Sequence, residues 1–141
     1  MKIYQDIATL FLRLALSSGF LSAVASRLSL WGKQSSGWSN FLTYTANVNS
    51  FAPKSIIPAI AVSSTILETV LGILLLFGYK TNYAALGAAI LTLLFAFAMA
   101  WSFGLKEPLD YSVFGFSAAA FLLATMPYYK WSIDQLLINK F

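Results

Sequence analysis

The sequence IPAIAVSSTILETVLGILLLFG, residues 57–78, is almost wholly apolar and carries one ionisable side chain, Glu68, near its centre. About 20 apolar residues are enough for a helix to cross a bilayer, because each residue adds roughly 1.5 Å. An ionised side chain at that depth costs about 2.5–3.5 kcal/mol on insertion scales unless it finds a partner. The stretch therefore predicts a membrane-spanning helix, and Glu68 predicts further helices that shelter its carboxylate.

The composition of the whole chain agrees with a membrane protein of one domain. Its 141 residues are 59% hydrophobic and 10% charged, whereas soluble domains average about 25% charged residues. The nine Lys and Arg residues, which leave a net charge of +4, are scattered along the chain. Scattered cations beside apolar runs favour lipid-headgroup contacts over a nucleic-acid surface. We therefore expect residues 1–141 to form a single integral membrane domain, with the lipid bilayer as its first partner and no nucleic-acid partner.

The chain contains neither cysteine nor histidine. Thiol–disulfide exchange, Cys/His metal sites and His-ligated haem are therefore excluded for this chain alone. The sequence also shows no nucleophile–base set, no phosphate-binding glycine loop and no cluster of metal ligands. We expect no catalytic residue, no metal-binding residue and no resident cofactor, so the chain on its own is not expected to be an enzyme.

Four apolar runs predict an all-α fold, a four-transmembrane-helix bundle. The predicted spans cover about residues 7–25, 56–77, 83–103 and 111–127. The first run resembles a signal peptide, but Arg13 interrupts its apolar centre, and we expect it to be retained as a helix. In the first loop, residues 38–49 place aromatic side chains on one side and Asn and Thr on the other, which predicts an amphipathic interfacial helix. A short C-terminal surface helix is predicted over about 131–137.

Four spans would place both termini on one side of the membrane. The Lys and Arg residues outside the spans are balanced, with Lys2, Lys80, Lys130 and Lys140 on the terminal side against Arg27, Lys33, Lys54 and Lys106 on the other. Counting Arg13 with the terminal side tips this balance, because basic residues favour the cytoplasmic face. We expect cytoplasmic termini in a bacterial inner membrane.

Two ionisable residues are predicted inside the membrane. Arg13 lies about 9 Å into the first span, and Glu68 lies about 13 Å from the same face in the second. On adjacent antiparallel helices the long arginine side chain could reach the carboxylate, although the Cα–Cβ bonds of the two residues lean apart in depth. The predicted Arg13–Glu68 pair has two interpretations, a ligand-binding site and a structural ion pair. The sequence leaves both open.

Further polar and aromatic residues are expected to support a site at this pair. Ser17, Ser64 and Thr65 lie near Arg13 or Glu68 on the same helices. The charged and aromatic residues expected to contribute are Arg27, Trp38, Tyr44, Asp110 and Tyr111. Asp110 is also expected to cap the N-terminus of the fourth span.

A series of short motifs runs along nearly the whole chain. They are RLAL at 13–16, GFLSAVA at 19–25, Arg27, LWG at 30–32, NFL at 40–42, YTA at 44–46, Glu68 with Gly72, Gly78 and Lys80-Thr81, PL at 108–109, YSVF at 111–114 and WSID at 131–134. In this order and spacing the motifs resemble those of the DoxX family of small four-helix membrane proteins. One departure is Ser26, where related sequences often carry an aspartate before the basic residue.

The resemblance implies a narrow set of functions. Some DoxX-like proteins resemble membrane subunits of thiosulfate:quinone oxidoreductase, and others are linked to oxidoreductase assemblies and to thiol or oxidative stress. Without Cys or His, this chain is expected to bind a quinone or to anchor a partner instead of relaying electrons itself.

Two hypotheses follow for the function of the chain. The first is a non-catalytic subunit or anchor of an oxidoreductase assembly, whose partner is another membrane or membrane-associated protein or a second copy of the chain. The second is a protein that binds a quinone, a lipid or a polar solute within the bundle near Arg13 and Glu68. A transporter is disfavoured, because four helices leave little room for alternating access and no inverted repeat is evident.

Overall fold

Residues 1–139, which the computed structural model describes, form seven α-helices and no β-strand. The helices are α1 (Lys2–Arg27), α2 (Trp38–Val48), α3 (Ile57–Phe77), α4 (Thr81–Phe103), α5 (Lys106–Asp110), α6 (Val113–Ala124) and α7 (Ile133–Ile138). Short 3₁₀ turns cover Gly32–Gln34 and Lys54–Ile56. The predicted all-α class is confirmed. Lys140, which entered the charge balance, lies outside the described residues.

Three helices in residues 1–139 are long and apolar enough to cross a membrane. They are α1, α3 with its preceding turn (Lys54–Phe77), and α4. The fourth apolar run behaves differently: α6 has 12 residues, or roughly 18 Å, against about 30 Å of hydrocarbon. A fourth crossing therefore stays a prediction.

The shortness of α6 has local causes at both ends. Before it, Ser112 adopts a left-handed backbone conformation with φ of 56°, which separates α5 from α6. After it, Pro127 disfavours helical geometry at the residue that precedes it. Asp110 is the last residue of α5 and pairs with Lys106 inside that helix. The predicted cap by Asp110 is therefore wrong, since residues 106–110 form a helical turn of their own.

The contact between α1 and α3 fixes the register of these two antiparallel helices. The Ser17 hydroxyl donates a hydrogen bond of 2.7 Å to the carbonyl of Gly72. A Cβ atom at Gly72 would lie only 2.9 Å from the Leu21 side chain. The missing side chain therefore lets the two backbones approach closely, as small residues do in membrane helix pairs.

A second close contact joins α4 to α6 through alanines. Ala84, Ala85, Ala88 and Ala89 are all buried on α4, and the Ser117 hydroxyl of α6 donates 2.7 Å to the Ala89 carbonyl. Leu16, Phe20, Leu75 and Leu123 complete the core between these helices. The core of the bundle thus lies between α1, α3, α4 and α6, with α2 packed against α3 and α4 at one end.

The short helix α7 is tied to the opposite end of the bundle. The Asp134 carboxylate accepts hydrogen bonds from the backbone N–H groups of Lys80 (2.7 Å) and Thr81 (2.8 Å), at the start of α4. The N–H of Asp134 donates 2.9 Å to the carbonyl of Gly78, the left-handed residue (φ 67°) that ends α3. The C-terminal helix therefore closes the α3–α4 turn.

Candidate functional site

The buried carboxylate at the centre of α3 forms an ion pair with Arg27, the last residue of α1. Arg27 Nη2 donates 3.1 Å to Glu68 Oε1, and Arg27 Nη1 contacts Oε2. Nη1 also donates 3.2 Å to the Thr65 hydroxyl. The Glu68 side chain is 3% exposed and that of Arg27 12% exposed. Two opposite charges are therefore held together away from water.

The predicted pairing of Arg13 with Glu68 is wrong. Arg13 lies near the other end of α1, where its Nη2 donates 2.8 Å to the backbone carbonyl of Trp131. By the Ser17–Gly72 register, Arg13 and Glu68 differ in depth by about eight residues, or roughly 12 Å. That separation exceeds the reach of the side chains, so these two residues do not form one polar site.

The directions of the side chains explain why Arg27 is the partner. In a helix the Cα–Cβ bond tilts toward the N-terminus. Because α1 and α3 are antiparallel, Arg27 leans into the membrane, and Glu68 leans toward the face where Arg27 lies. Arg13 leans away from Glu68 toward the opposite face. Antiparallel packing therefore brings the C-terminal arginine of α1 to the carboxylate.

Helix α2 covers the ion pair with an aromatic side chain. The Arg27 guanidinium carbon lies 3.9 Å from the centre of the Phe41 ring, a cation–π contact. Trp38 packs against Phe41 with the two rings tilted by 54° and their centres 5.6 Å apart. The helix found at Trp38–Val48 coincides with the amphipathic helix predicted at 38–49. Its aromatic side thus closes the site from one end of the bundle.

A cavity of about 140 Å³ lies beside the ion pair. It is bounded by α2, α3, α4 and the start of α6, with Arg27 and Glu68 among its lining residues. The other lining residues are Phe41, Tyr44, Thr45, Val48, Asn49, Ile60, Ser64, Phe95, Met99 and Val113. An engineered apolar cavity of about 150 Å³ in another protein holds benzene. The space here therefore suits one ring.

The predicted supporting residues divide into two groups. Glu68, Arg27, Ser64 and Tyr44 line the cavity, and Thr65 contacts Arg27 directly. The structure places the others elsewhere: Ser17 at the α1–α3 contact, Trp38 against the Phe41 ring, Asp110 in its pair with Lys106, and Tyr111 exposed at the end of α5.

The lining residues of the cavity were predicted only in part. The helical spacing grouped Phe41 and Val48 with Tyr44 on the aromatic side of α2, whereas Thr45 was not expected at the site. Phe95 and Met99 come from the middle and end of α4, a uniformly apolar helix. No sequence pattern distinguishes which face of such a helix borders a cavity.

The polar groups around the cavity are mostly neutral. Burial raises the pKa of Tyr44 on α2, so its phenol keeps its proton at physiological pH. Among the lining residues in the described part of the chain, only Arg27 and Glu68 are charged. Within residues 1–139, no group of three or more His, Cys, Asp or Glu is placed to hold a metal ion.

A second polar cluster lies at the other end of the bundle and has a structural explanation. The Tyr128 hydroxyl donates 2.8 Å to the Asp6 carboxylate, which also pairs with Lys130 Nζ at 3.2 Å. Arg13, 3% exposed, contacts the Trp131 carbonyl in the same segment. These contacts hold α1 against the segment between α6 and α7, which is a structural role.

Long apolar helices packed around a buried ion pair define an integral membrane protein of the helical class. The chain belongs to the DoxX family, whose model matches residues 8–101. The match covers α1 to α4 up to Trp101 and includes Arg27, Phe41 and Glu68; the motifs quoted above from residue 108 onward lie beyond it. No curated protein and no solved structure was found to match the chain.

Proposed function

We propose that this DoxX family membrane protein is a non-catalytic binding subunit that holds a small lipid-soluble molecule in the cavity beside Arg27 and Glu68. The observation that carries the proposal is the buried charge pair on the wall of an otherwise mainly apolar cavity. Ligand sites commonly combine apolar walls with a few oriented polar groups. The polar end of the proposed site is therefore the Arg27–Glu68 pair, not the Arg13–Glu68 pair expected from the sequence.

The size and position of the cavity limit its ligand. A volume of about 140 Å³ is large enough for one ring. The head group of a quinone is a single ring of this kind. The cavity therefore supports the proposal that this chain is a subunit of a quinone-linked oxidoreductase assembly. The chain would supply the binding site, and another subunit would supply the electron-transfer groups.

Filling the cavity tests this proposal. Val48→Phe adds a ring from α2 into the cavity, whereas Val62→Phe adds the same ring on the exposed side of α3. Saturation-transfer NMR with toluene and phenol should detect binding to the wild type and to Val62→Phe in nanodiscs, and at least about tenfold less to Val48→Phe. Equal signals from all three proteins would show that the rings dissolve in lipid, and the proposal would fail.

A second candidate function, an anchor for a partner protein, has its own supporting observation. Ala15 of α1 is exposed and Ala23 is half-buried on the same stripe, whereas a Cβ atom at Gly19 between them would lie 3.0 Å from the Phe116 ring of α6. Small residues at this spacing allow a further helix to pack closely. The partner would be another membrane protein or a second copy of the chain.

Enlarging this stripe tests the anchor function. Ala15→Leu should release a stoichiometric partner in mild detergent, whereas Ala59→Leu, on the exposed side of α3, should not. Native mass spectrometry distinguishes a second copy from a different protein. A wild-type chain that stays monomeric at every concentration would contradict this candidate.

The proposed orientation places the termini in the cytoplasm and α2 on the other side of a bacterial inner membrane. Because the chain lacks cysteine, a single introduced cysteine is a unique label. In intact cells an impermeant maleimide should label Lys33→Cys and leave Lys2→Cys unlabelled. The reverse pattern would invert the orientation.

A further inference from the structure

We infer that the ligand of this cavity is a neutral ring molecule whose hydroxyl group donates a hydrogen bond to Glu68, as a phenol or a hydroquinone would. The inference rests on the proposed binding function and names the chemical class of the ligand. It comes from the charge balance of the cavity wall and from its free hydrogen-bonding groups.

The charge balance disfavours an anion. Within residues 1–139, Arg27 is the only cation that lines the cavity, and its Nη1 and Nη2 atoms already contact Glu68 and Thr65. A carboxylate or phosphate ligand would have to displace Glu68, leaving that carboxylate buried without its counter-ion. The site therefore suits a neutral molecule.

The donors on the cavity wall are largely used within the protein. The hydroxyl of Ser64 donates 3.1 Å to the Ala61 carbonyl, and that of Thr45 donates 2.7 Å to the Phe41 carbonyl. Asn49 Nδ2 donates 2.9 Å to the Thr45 carbonyl. A ligand that only accepts hydrogen bonds would find few free donors here, the Tyr44 phenol being one.

The acceptors, by contrast, are available. Glu68 Oε2 is buried against Arg27 Nη1, and within residues 1–139 no second donor is placed to give it a hydrogen bond. The Ser64 oxygen, which lies one helical turn before Glu68 on α3, keeps its lone pairs. A carboxylate oxygen can accept more than one hydrogen bond, and a ligand hydroxyl would supply a donor in addition to Arg27. The Glu68 carboxylate and the Ser64 oxygen can therefore accept a hydrogen bond from a ligand.

Four probes of one-ring size test the inference in nanodiscs: toluene, phenol, 1,4-benzoquinone and benzoate. After subtraction of the Val48→Phe signal, phenol should bind about tenfold more tightly than toluene or benzoquinone, because a hydrogen bond to a charged group is worth at least that factor. Benzoate should bind most weakly. Glu68→Gln should keep toluene binding while reducing the preference for phenol to about threefold or less.

The two serines at the start of this turn give a matched control. Ser64→Ala removes an oxygen from the wall and should weaken phenol binding about threefold, whereas Ser63→Ala, on the exposed side of α3, should leave it unchanged. Benzoquinone or benzoate binding as tightly as phenol would overturn the inference and leave the cavity site intact. If no probe binds more strongly to the wild type than to Val48→Phe, the proposed function fails as well.

Discussion

Arg27 and Glu68 meet because their side chains lean toward each other from two antiparallel helices. The arginine ends α1 and the glutamate lies in the middle of α3, so the long guanidinium side chain spans the difference in depth. Phe41 of α2 covers the guanidinium. This one contact links three helices and leaves a carboxylate oxygen beside a cavity. The contribution of this contact to the free energy of unfolding can be measured directly.

Removing the charge of Glu68 should destabilise the fold. Glu68→Gln keeps the shape of the side chain but leaves the guanidinium of Arg27 largely buried without a counter-ion. Breaking a buried pair in this way costs about 3–5 kcal/mol, and the partial exposure of Arg27 lowers the expected loss to about 2–3 kcal/mol. Unfolding in mixed micelles measures it. The double variant Arg27→Met/Glu68→Leu should lose less than Glu68→Gln alone, and an equal or larger loss would show that the pair is not coupled.

Arginine should be preferred over lysine at position 27. A lysine keeps the charge but cannot donate to Glu68 and Thr65 from one planar group while stacking on Phe41. We expect Arg27→Lys to cost about 1 kcal/mol and Phe41→Leu a similar amount. In the double variant the two losses should not add, because both remove the same stacking contact. Full additivity in the unfolding free energies would contradict the cation–π contact.

The close approach of α1 and α3 at Gly72 should tolerate no side chain. A Cβ atom there would lie within 2.9 Å of Leu21, so Gly72→Ala should cost about 1 kcal/mol despite the better helix propensity of alanine. Gly115→Ala is the control, because its nearest neighbour would be 3.9 Å away, and it should be neutral or slightly stabilising. Equal effects of the two variants on thermal unfolding would contradict the proposed packing.

The carboxylate of Asp134 should stabilise the start of α4 from outside that helix. Asp134→Ala removes the acceptor of two backbone N–H groups, and loss of such a cap costs about 1–2 kcal/mol. Hydrogen exchange should accelerate at Lys80 and Thr81 and throughout α7. Asp110→Ala, which removes only an exposed pair with Lys106, should leave these amides unchanged. Unaltered exchange in Asp134→Ala would refute the capping role.

The stability contributed by Tyr128 should depend on pH in the alkaline range. Its hydrogen bond to the Asp6 carboxylate, followed by burial, raises its pKa above the usual value of 10.0. Because the folded pKa is higher than the unfolded one, this stability is fully present below about pH 10 and is lost as the pH rises through the folded pKa. The difference in unfolding temperature between the wild type and Tyr128→Phe should therefore shrink above pH 10. A constant difference would contradict this role.

The sequence predicted where the helices of this protein lie better than it predicted which side chains meet between them. Hydropathy placed three spans, since uniformly apolar runs of about 20 residues have few alternatives to a membrane helix. The amphipathic pattern of residues 38–49 predicted α2. The fourth run was expected to be one span, but Ser112 and Pro127 limit α6 to Val113–Ala124. Local backbone geometry of this kind is not visible in hydropathy.

The candidate site was predicted in part. Glu68 drew attention because a lone carboxylate in an apolar helix needs a partner, and Ser64, Thr65, Arg27 and Tyr44 were expected nearby. The choice of Arg13 as that partner was wrong. The lean of its Cα–Cβ bond already weighed against it. The contributions of α4 to the cavity were missed, because every face of that helix is apolar.

The sequence by itself determined that this protein is helical, lies in a membrane, and must shelter one carboxylate, since these properties follow from composition and hydropathy along the chain. Only the tertiary structure decided which arginine does so. Arg13 and Arg27 are about 21 Å apart on the same helix, and the choice between them depends on the register of α1 against α3. Contacts such as Ser17 with Gly72 set that register, and they join residues that are distant in the chain.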